Sequence, residues 1–270
     1  MNKKISAVMV VYNEEAVIER ALQSVYKFAD EIIIVHDGQC KDKTLEIAKK
    51  FTKDIFTLPH IGEAEPHRPF TYSKAKNNLI LQLDADEFVP AETIGKLTQI
   101  IDSGRDFTSL LLNWKQYYNN EKILMGYKTI IFDKSKHYFI GVPHAWPKLL
   151  KNVEPKEIIL NADLFNAPKY DNSSWEIFKT KWLKWKDIHA KYLRQDFSQI
   201  NTWNYDSDFW DYPTNLIVKY PLFFGIPYTI LSETYKLLRS LNKNIQIIKM
   251  QVYSLLYRLL LVKALIKVDK

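Results

Sequence analysis

The chain has 270 residues, 47% of them hydrophobic, with one cysteine and a formal charge of +7. That is enough for one large domain or a domain with an elaborated tail, and too apolar for a disordered polymer. The lone Cys40 excludes an internal disulfide and points to a reducing compartment. The positive charge favours polyanionic partners or an anionic membrane surface, and the absence of zinc-finger spacing, a glycine-aromatic RNA signature or a basic arm speaks against nucleic acid.

Ile5–Val11 is an apolar run that passes straight into Tyr12-Asn13-Glu14-Glu15, so it reads as a first strand and not as a signal peptide. Val17, Ile18, Ala21, Leu22, Val25 and Phe28 then recur at helical spacing, Glu31–Val35 is apolar again, Thr44–Phe51 repeats the helical period, and Asp54–Leu58 looks like another strand. Strands alternating with helices in this way demand a largely parallel sheet covered on both faces, so the fold class is α/β.

Two strand ends carry chemistry. After the second strand come His36-Asp37-Gly38, where Asp37 can accept from a base N–H or a ribose hydroxyl and Gly38 lets the backbone turn closely. The alternative for Asp37 is a cap on the helix over residues 41–51. Further on, Leu79-Ile80-Leu81-Gln82-Leu83 stops in Asp84-Ala85-Asp86-Glu87, delivering acids to the sheet edge where open α/β sheets bind ligands. If the backbone stays extended there, Asp84 and Asp86 point to one face and can share Mg²⁺ or Mn²⁺. The bland alternative is that these acids cap a helix opened by Pro90-Ala91-Glu92-Thr93. Arg68, upstream, is placed to pair with a pyrophosphate.

From about residue 107 to 166 the pattern becomes strand-like around 109–114 and 129–132, read as an irregular extension of the sheet. Trp175, Phe178, Trp182, Trp185 and Tyr192 mark one face of a helix, taken as core and not as a sugar platform. Trp203 to Tyr212 has no period and reads as a ligand-facing loop. In the last seventy residues, Lys219, Pro221 and Pro227 interrupt 216–231, and Lys249, Arg258, Lys263 and Lys267 interrupt 245–268, so neither stretch supplies about twenty uncharged apolar residues for a membrane span. The readings left are an interfacial amphipathic region or a helical subdomain packed on the sheet.

Taken in order, these motifs resemble the inverting family 2 glycosyltransferases, which have the GT-A fold. Val8-Met9-Val10-Val11-Tyr12-Asn13-Glu14-Glu15 matches the opening strand, Glu31 to Thr44 the second strand and short helix, and Arg68 with Ala75 the motif that precedes the Asp-x-Asp, here Asp84-Ala85-Asp86. The match covers roughly residues 5 to 90. His36, Pro69 and Gln39-Cys40 depart from the usual residues. Many bacterial relatives similar to lipopolysaccharide-core and capsule enzymes carry Gly-x-x-His-Glu, where this chain reads Gly141-Val142-Pro143-His144-Ala145-Trp146.

The resemblance implies a nucleoside pocket lined by Tyr12, Glu14 and Asp37, Arg68 facing the donor phosphates, Asp84 on the ribose or in the metal shell, and Asp86 on a divalent cation, Mn²⁺ or Mg²⁺. The donor would be a nucleoside-diphosphate sugar and the acceptor a hydroxyl on a glycan or lipid-linked glycan. The general base would be His144, Asp133 or Asp163. Residues 1–170 would form the catalytic domain, with the donor side to about 105 and the acceptor side over about 106–170. Residues 171–270 would be a helical, aromatic, basic extension, in a cytoplasmic protein peripheral on the inner face of the membrane. A sugar-phosphate nucleotidyltransferase, or a non-catalytic membrane-associated protein on a decayed transferase fold, are the alternatives.

Overall fold

The structure, a computed structural model, describes residues 4–118, 121–194, 199–205, 212–241 and 245–266. They divide into two compact units: one runs to Lys169 and takes in Asn201–Asn204, and the other comprises Tyr170–Ile200 and the chain from Tyr205 on.

The first unit opens with β1 (Ile5–Val11), α1 (Ile18–Val25), β2 (Glu31–Asp37), α2 (Thr44–Ala48) and β3 (Ile55–Leu58). It continues through α3 (Arg68–Lys74), β4 (Leu79–Gln82), β5 (Glu87–Phe88), α4 (Ala91–Asp102), β6 (Ser109–Tyr118), β7 (Glu121–Asp133), β8 (His137–Ile140), β9 (Lys148–Leu149) and β10 (Glu157–Asn166). Among the described residues one eight-stranded sheet has the order β3-β2-β1-β4-β7-β6-β10-β5, and a small second sheet joins β8 to β9 and to β11 (Thr202–Trp203). The pairs β1–β2, β1–β4, β2–β3 and β6–β10 are parallel, whereas β7 runs antiparallel to both β4 and β6.

Strands β1, β2 and β4 are apolar through most of their length because both their faces are covered. All seven residues of β1 are buried, and α1 lays Ile18, Ala21, Leu22 and Val25 on one face of the sheet. The other face carries a second cluster of Val8, Ile33, Tyr72, Ile80, Phe132 and Phe139. Helix α3 is fastened there by a buried cation, since Lys134 Nζ donates to Ala75 O at 2.5 Å and to Tyr72 O at 3.1 Å, carbonyls at the helix C-terminus. The middle of the chain is more regular than its sequence suggests, because β6 and β7 form a long hairpin whose register shifts at Leu110/Leu111 and Trp114/Lys115. Such shifts hide a period of two in the sequence.

The second unit contains α5 (Trp175–Ile177), a π-helical turn (Phe178–Trp182), α6 (Leu183–Arg194), α7 (Tyr212–Lys219), a second π-helical turn (Pro221–Gly225), α8 (Ile226–Ser240) and α9 (Ile245–Ile266). The aromatic stripe is core in its middle: Phe178 is buried with Ala190, Tyr257, Leu261 and Leu265, and Trp182 and Trp185 pack against them, whereas Trp175 is 53% exposed and covers Phe178 from outside at 5.1 Å between ring centroids. By length and composition α9 is apolar enough to cross a membrane, which corrects the reading that neither C-terminal stretch qualifies. Its 22 residues tolerate the interrupting charges because Lys249, Arg258 and Lys263 are widely spaced.

Candidate active site

Strands β1, β2 and β4 end at the same edge of the sheet, and the chain segments that leave them meet there. At β2, Asp37 is 2% exposed and its carboxylate is fully engaged. Oδ1 accepts from Ile61 N at 2.6 Å and from His67 Nε2 at 2.8 Å, while Oδ2 accepts from Gly62 N at 2.8 Å and lies 3.0 Å from His60 Nδ1. Burial pushes its pKa up, but the His67 hydrogen bond and the two amides outweigh that and leave it below the usual carboxylate value. Asp37 therefore fastens the loop of residues 59–67 to the sheet. It is neither a helix cap nor an acceptor turned toward solvent.

Gly38 has φ +84°, and a Cβ there would lie 2.7 Å from His60 Cβ, so glycine is what lets that loop close down. His60 then stacks on Tyr12 at 4.6 Å between ring centroids, and both rings stay partly exposed. His36, where the family usually has an acid, is buried: its Nδ1 is 2.7 Å from Gly38 O and its Nε2 3.4 Å from Asn13 N, which fits a neutral ring protonated at Nδ1. Glu14 is half-buried at the same edge, 3.0 Å from Lys169 Nζ, which also donates to Asn13 O at 2.6 Å.

At β4 the chain leaves the extended conformation after Gln82, and Glu87 N donates to Asp84 O at 3.0 Å to close a turn. The condition for Asp84 and Asp86 to share one face is therefore not met. Asp84 Oδ1 accepts from Arg68 Nη2 at 2.9 Å and Oδ2 from Lys128 Nζ at 2.8 Å. Lys128 also donates to both oxygens of the wholly buried Glu87, at 2.6 and 2.7 Å. Burial works against every charge in this cluster. Lys128 and Arg68 nonetheless hold Asp84 far below the ordinary carboxylate range, and Asp84 and Glu87 hold the Lys128 ammonium above its ordinary value. Burial pushes Glu87 up in spite of Lys128, and the charges on Asp84 and Asp86 add to the rise. No helix is capped by these acids: Pro90 precedes α4, and no side chain makes a cap bond there.

His67 and Arg68 are consecutive, so one dipeptide ties Asp37 on β2 to Asp84 beyond β4, two strands away or roughly 10 Å by strand spacing. Arg68 is 6% exposed with its guanidinium on Asp84.

The three candidate bases separate. Asp133 pairs with Leu79 in the β4–β7 register, at the edge opposite Asp84, and its Oδ1 accepts from Ser135 N and Oγ at 3.0 and 2.6 Å. It is a turn residue at the sheet edge remote from the acidic strand end, out of reach of an acceptor bound there. Asp163 lies on β10, three residues before the Asn166 that pairs with Glu87, or about 10 Å along the strand. Burial pushes its pKa up, but the bonds from Lys115 at 2.7 Å and Asn113 at 3.2 Å prevail and hold it below the usual value. His144 is exposed and has a left-handed φ of 62°. Two residues on, the Trp146 ring lies 5.4 Å from Lys128 Nζ, so the His144 segment reaches the acidic turn. Ala145, where relatives carry Glu, packs against the apolar cluster of Val8, Ile80 and Phe139.

Arg68 and Lys128 each take one oxygen of Asp84, which sets that carboxylate between two cations with its side chain 35% exposed. Among the described residues, no group of three or more His, Cys, Asp and Glu side chains could hold a metal. Asp86, half-buried on the turn, fits the commoner arrangement in which one carboxylate holds Mg²⁺ or Mn²⁺ and substrate phosphates supply further ligands.

Sequence reasoning missed Lys128, His60, His67 and Lys169. The signal for Lys128 was a lone charge inside the apolar run around Ile130 and Ile131, which calls for a buried partner. Part of the proposed loop between Trp203 and Tyr212, residues 206–211, lies outside the described residues. Trp203 itself pairs in the small sheet and donates from Nε1 to Lys134 O at 3.0 Å.

A mostly parallel sheet flanked by helices, with an acidic turn at the C-terminal edge of its parallel strands, is a GT-A type architecture. The sequence profile of Glycosyl transferase family 2 matches residues 6–167, more than half of the chain, and the chain belongs to that family. It is similar to an uncharacterized glycosyltransferase of Rickettsia bellii, 38% identical over 103 residues that make up 38% of this chain and 34% of the relative. A second relative, in Rickettsia typhi, is 36% identical over 101 residues, 37% of this chain and 34% of its own. The chain thus spans about a third of the length of the curated relatives it matches. Among solved structures it is similar to S. aureus TarS, at a TM-score of 0.48 and 16% identity over 96% of this chain and 54% of that one.

Proposed function

We propose that this protein transfers a sugar from a nucleoside-diphosphate sugar to a hydroxyl of a glycan or lipid-linked glycan, with inversion, at an anionic membrane surface in the cytoplasm. The observation that carries the reading is the convergence of the Tyr12–His60 stack, the Asp37–His67 and Arg68–Asp84 pairs and the Asp84–Glu87 turn on one sheet edge, within the family match. A related structure has been solved with UDP-GlcNAc, S. aureus TarS 1–349, and another with Mn²⁺ and UDP, glucosyl-3-phosphoglycerate synthase of Mycobacterium tuberculosis.

In this reading residues to about 105 form the donor side and about 106–170 the acceptor side. The base of the nucleoside lies against Tyr12 and His60, with Glu14 at its rim and Asp37 holding the loop that carries His60. Asp84, fixed from both sides by Arg68 and Lys128, is oriented toward the ribose. Asp86 would hold a divalent cation, which would neutralise charge on the diphosphate leaving group. His144 is the first candidate to take the acceptor proton, ahead of Asp163, whose depressed pKa makes it the weaker base.

Replacing a general base typically lowers the rate by about 10² to 10⁴ while donor binding stays intact. His144→Ala is expected to behave so, with the product anomer of opposite configuration to the donor. Unchanged turnover in His144→Ala would move the role to Asp163, and a product of retained configuration would overturn inversion.

A further inference from the structure

Helix α8 is built inside out. Its buried positions are Thr229, Glu233 and Ser240, and Gly225 precedes them on the same side, with a would-be Cβ at 3.0 Å from Val262. Its exposed positions include Tyr228, Leu231, Tyr235 and Leu238, which continue the line of Phe224 at spacings of three and four. Leu231 is 73% exposed and Phe223, in the preceding π turn, 80%. A helix in water shows the opposite distribution. Small and polar residues turned inward with apolar ones outward is the arrangement of helices that meet lipid.

The charges agree. Between residues 216 and 266 the sequence holds Lys219, Lys236, Arg239, Lys243, Lys249, Arg258 and Lys263 against the single acid Glu233. That acid is withdrawn: Glu233 is fully buried, with Oε1 2.6 Å from Lys236 Nζ and 3.0 Å from Arg258 Nε, and Oε2 2.7 Å from Ser254 Oγ. An apolar stripe on a surface whose uncompensated charges are all positive suits an anionic bilayer.

Geometry fixes how it lies. At 1.5 Å per residue the 15 residues of α8 extend about 22 Å, short of the roughly 30 Å hydrocarbon core. Helix α9 is long enough to span, but Tyr257, Leu261 and Leu265 pack on Phe178 and Ala190, and its Ala264 O accepts from Arg194 at the end of α6. Since α6 carries Lys184, Lys186, Asp187, Lys191 and Arg194, a partner this polar holds α9 out of the core. We propose that the outward face of α8, with Phe223 and Phe224, inserts in plane into the headgroup region of an anionic leaflet. This deepens, and rests on, the membrane placement proposed above.

The test uses the full chain and vesicles of phosphatidylcholine with and without phosphatidylglycerol, comparing the parent with Leu231→Glu and Phe223→Ser. Both positions are exposed, and equal thermal midpoints confirm that the variants fold. The parent is expected to sediment with acidic vesicles only and to be released by alkaline carbonate, and each substitution is expected to weaken partition about tenfold or more. Equal binding by parent and variants overturns the α8 face while leaving the membrane placement standing. A parent that ignores acidic vesicles overturns both, and one that resists carbonate overturns the in-plane geometry. A lipid-free dimer that Leu231→Glu dissociates, without vesicle binding, assigns the face to a second copy of the chain instead.

Discussion

Lys128 is the residue on which the acidic turn depends. With 3% of its side chain exposed it faces three carboxylate oxygens, and removing it leaves Glu87 buried with no cation. Breaking a buried pair from one side costs about 3–5 kcal/mol, so Lys128→Met is expected to lower the urea midpoint strongly. Pairing it with Glu87→Gln should recover part of the loss in a double-mutant cycle. Strict additivity would show that the two do not act as a pair. Asp84 and Arg68 were legible from sequence as neighbours of a site because acids that end an apolar strand fall at the edge where an α/β sheet binds its ligands. Their partnership was not legible, because it depends on a lysine more than forty residues away whose direction only the β6–β7 register decides. Asp133 was misplaced for the same reason, since an antiparallel strand returns its end to the far edge of the sheet.

At the scale of elements, the strand-to-helix connections carry the site. Gly38 at φ +84° holds the β2 end so that His60 can meet Tyr12. Gly38→Ala adds both left-handed strain of about 1–2 kcal/mol and a clash with His60. It is expected to lower stability and to weaken nucleotide binding together, which paired thermal melts and titrations would check. At the other end of the sheet His137 is buried at the start of β8, with Nδ1 2.8 Å from Asp133 O and Nε2 3.1 Å from Ser109 Oγ. Burial pushes its pKa below the usual value of 6.5. Folding therefore favours the neutral ring, and its contribution is complete above pH 6.5 and is lost as pH falls through the window beneath it. Urea midpoints at pH 7.5 and 5.5 should differ more for the parent than for His137→Gln, and an equal difference would remove His137 as the cause. The βαβαβ start was readable because periods of two and 3.6 persist there. The β6–β7 hairpin was not, because two register shifts break its alternation.

For the whole molecule, the excess charge and most of the outward apolar residues belong to the second unit, and the nucleotide-site residues to the first. Each Lys or Arg near an anionic surface contributes about 1 kcal/mol at low ionic strength, screened by salt. Vesicle binding should thus fall steeply between low and high salt, and binding that ignores salt would assign it to apolar contact alone. The first unit is expected to bind a nucleoside diphosphate through a cation on Asp86. The most direct test is a thermal-shift panel of UDP, GDP, CDP and TDP, each with and without Mn²⁺, on the parent and on Asp86→Asn. A ligand at a hundred times its Kd stabilises by about 2.7 kcal/mol, a rise of roughly 5–10 °C for a protein this large. That rise is expected for at least one nucleotide with Mn²⁺ in the parent, and its loss in a folded Asp86→Asn; no response to any nucleotide, or the same Mn²⁺-dependent response in both proteins, would overturn the cation on Asp86.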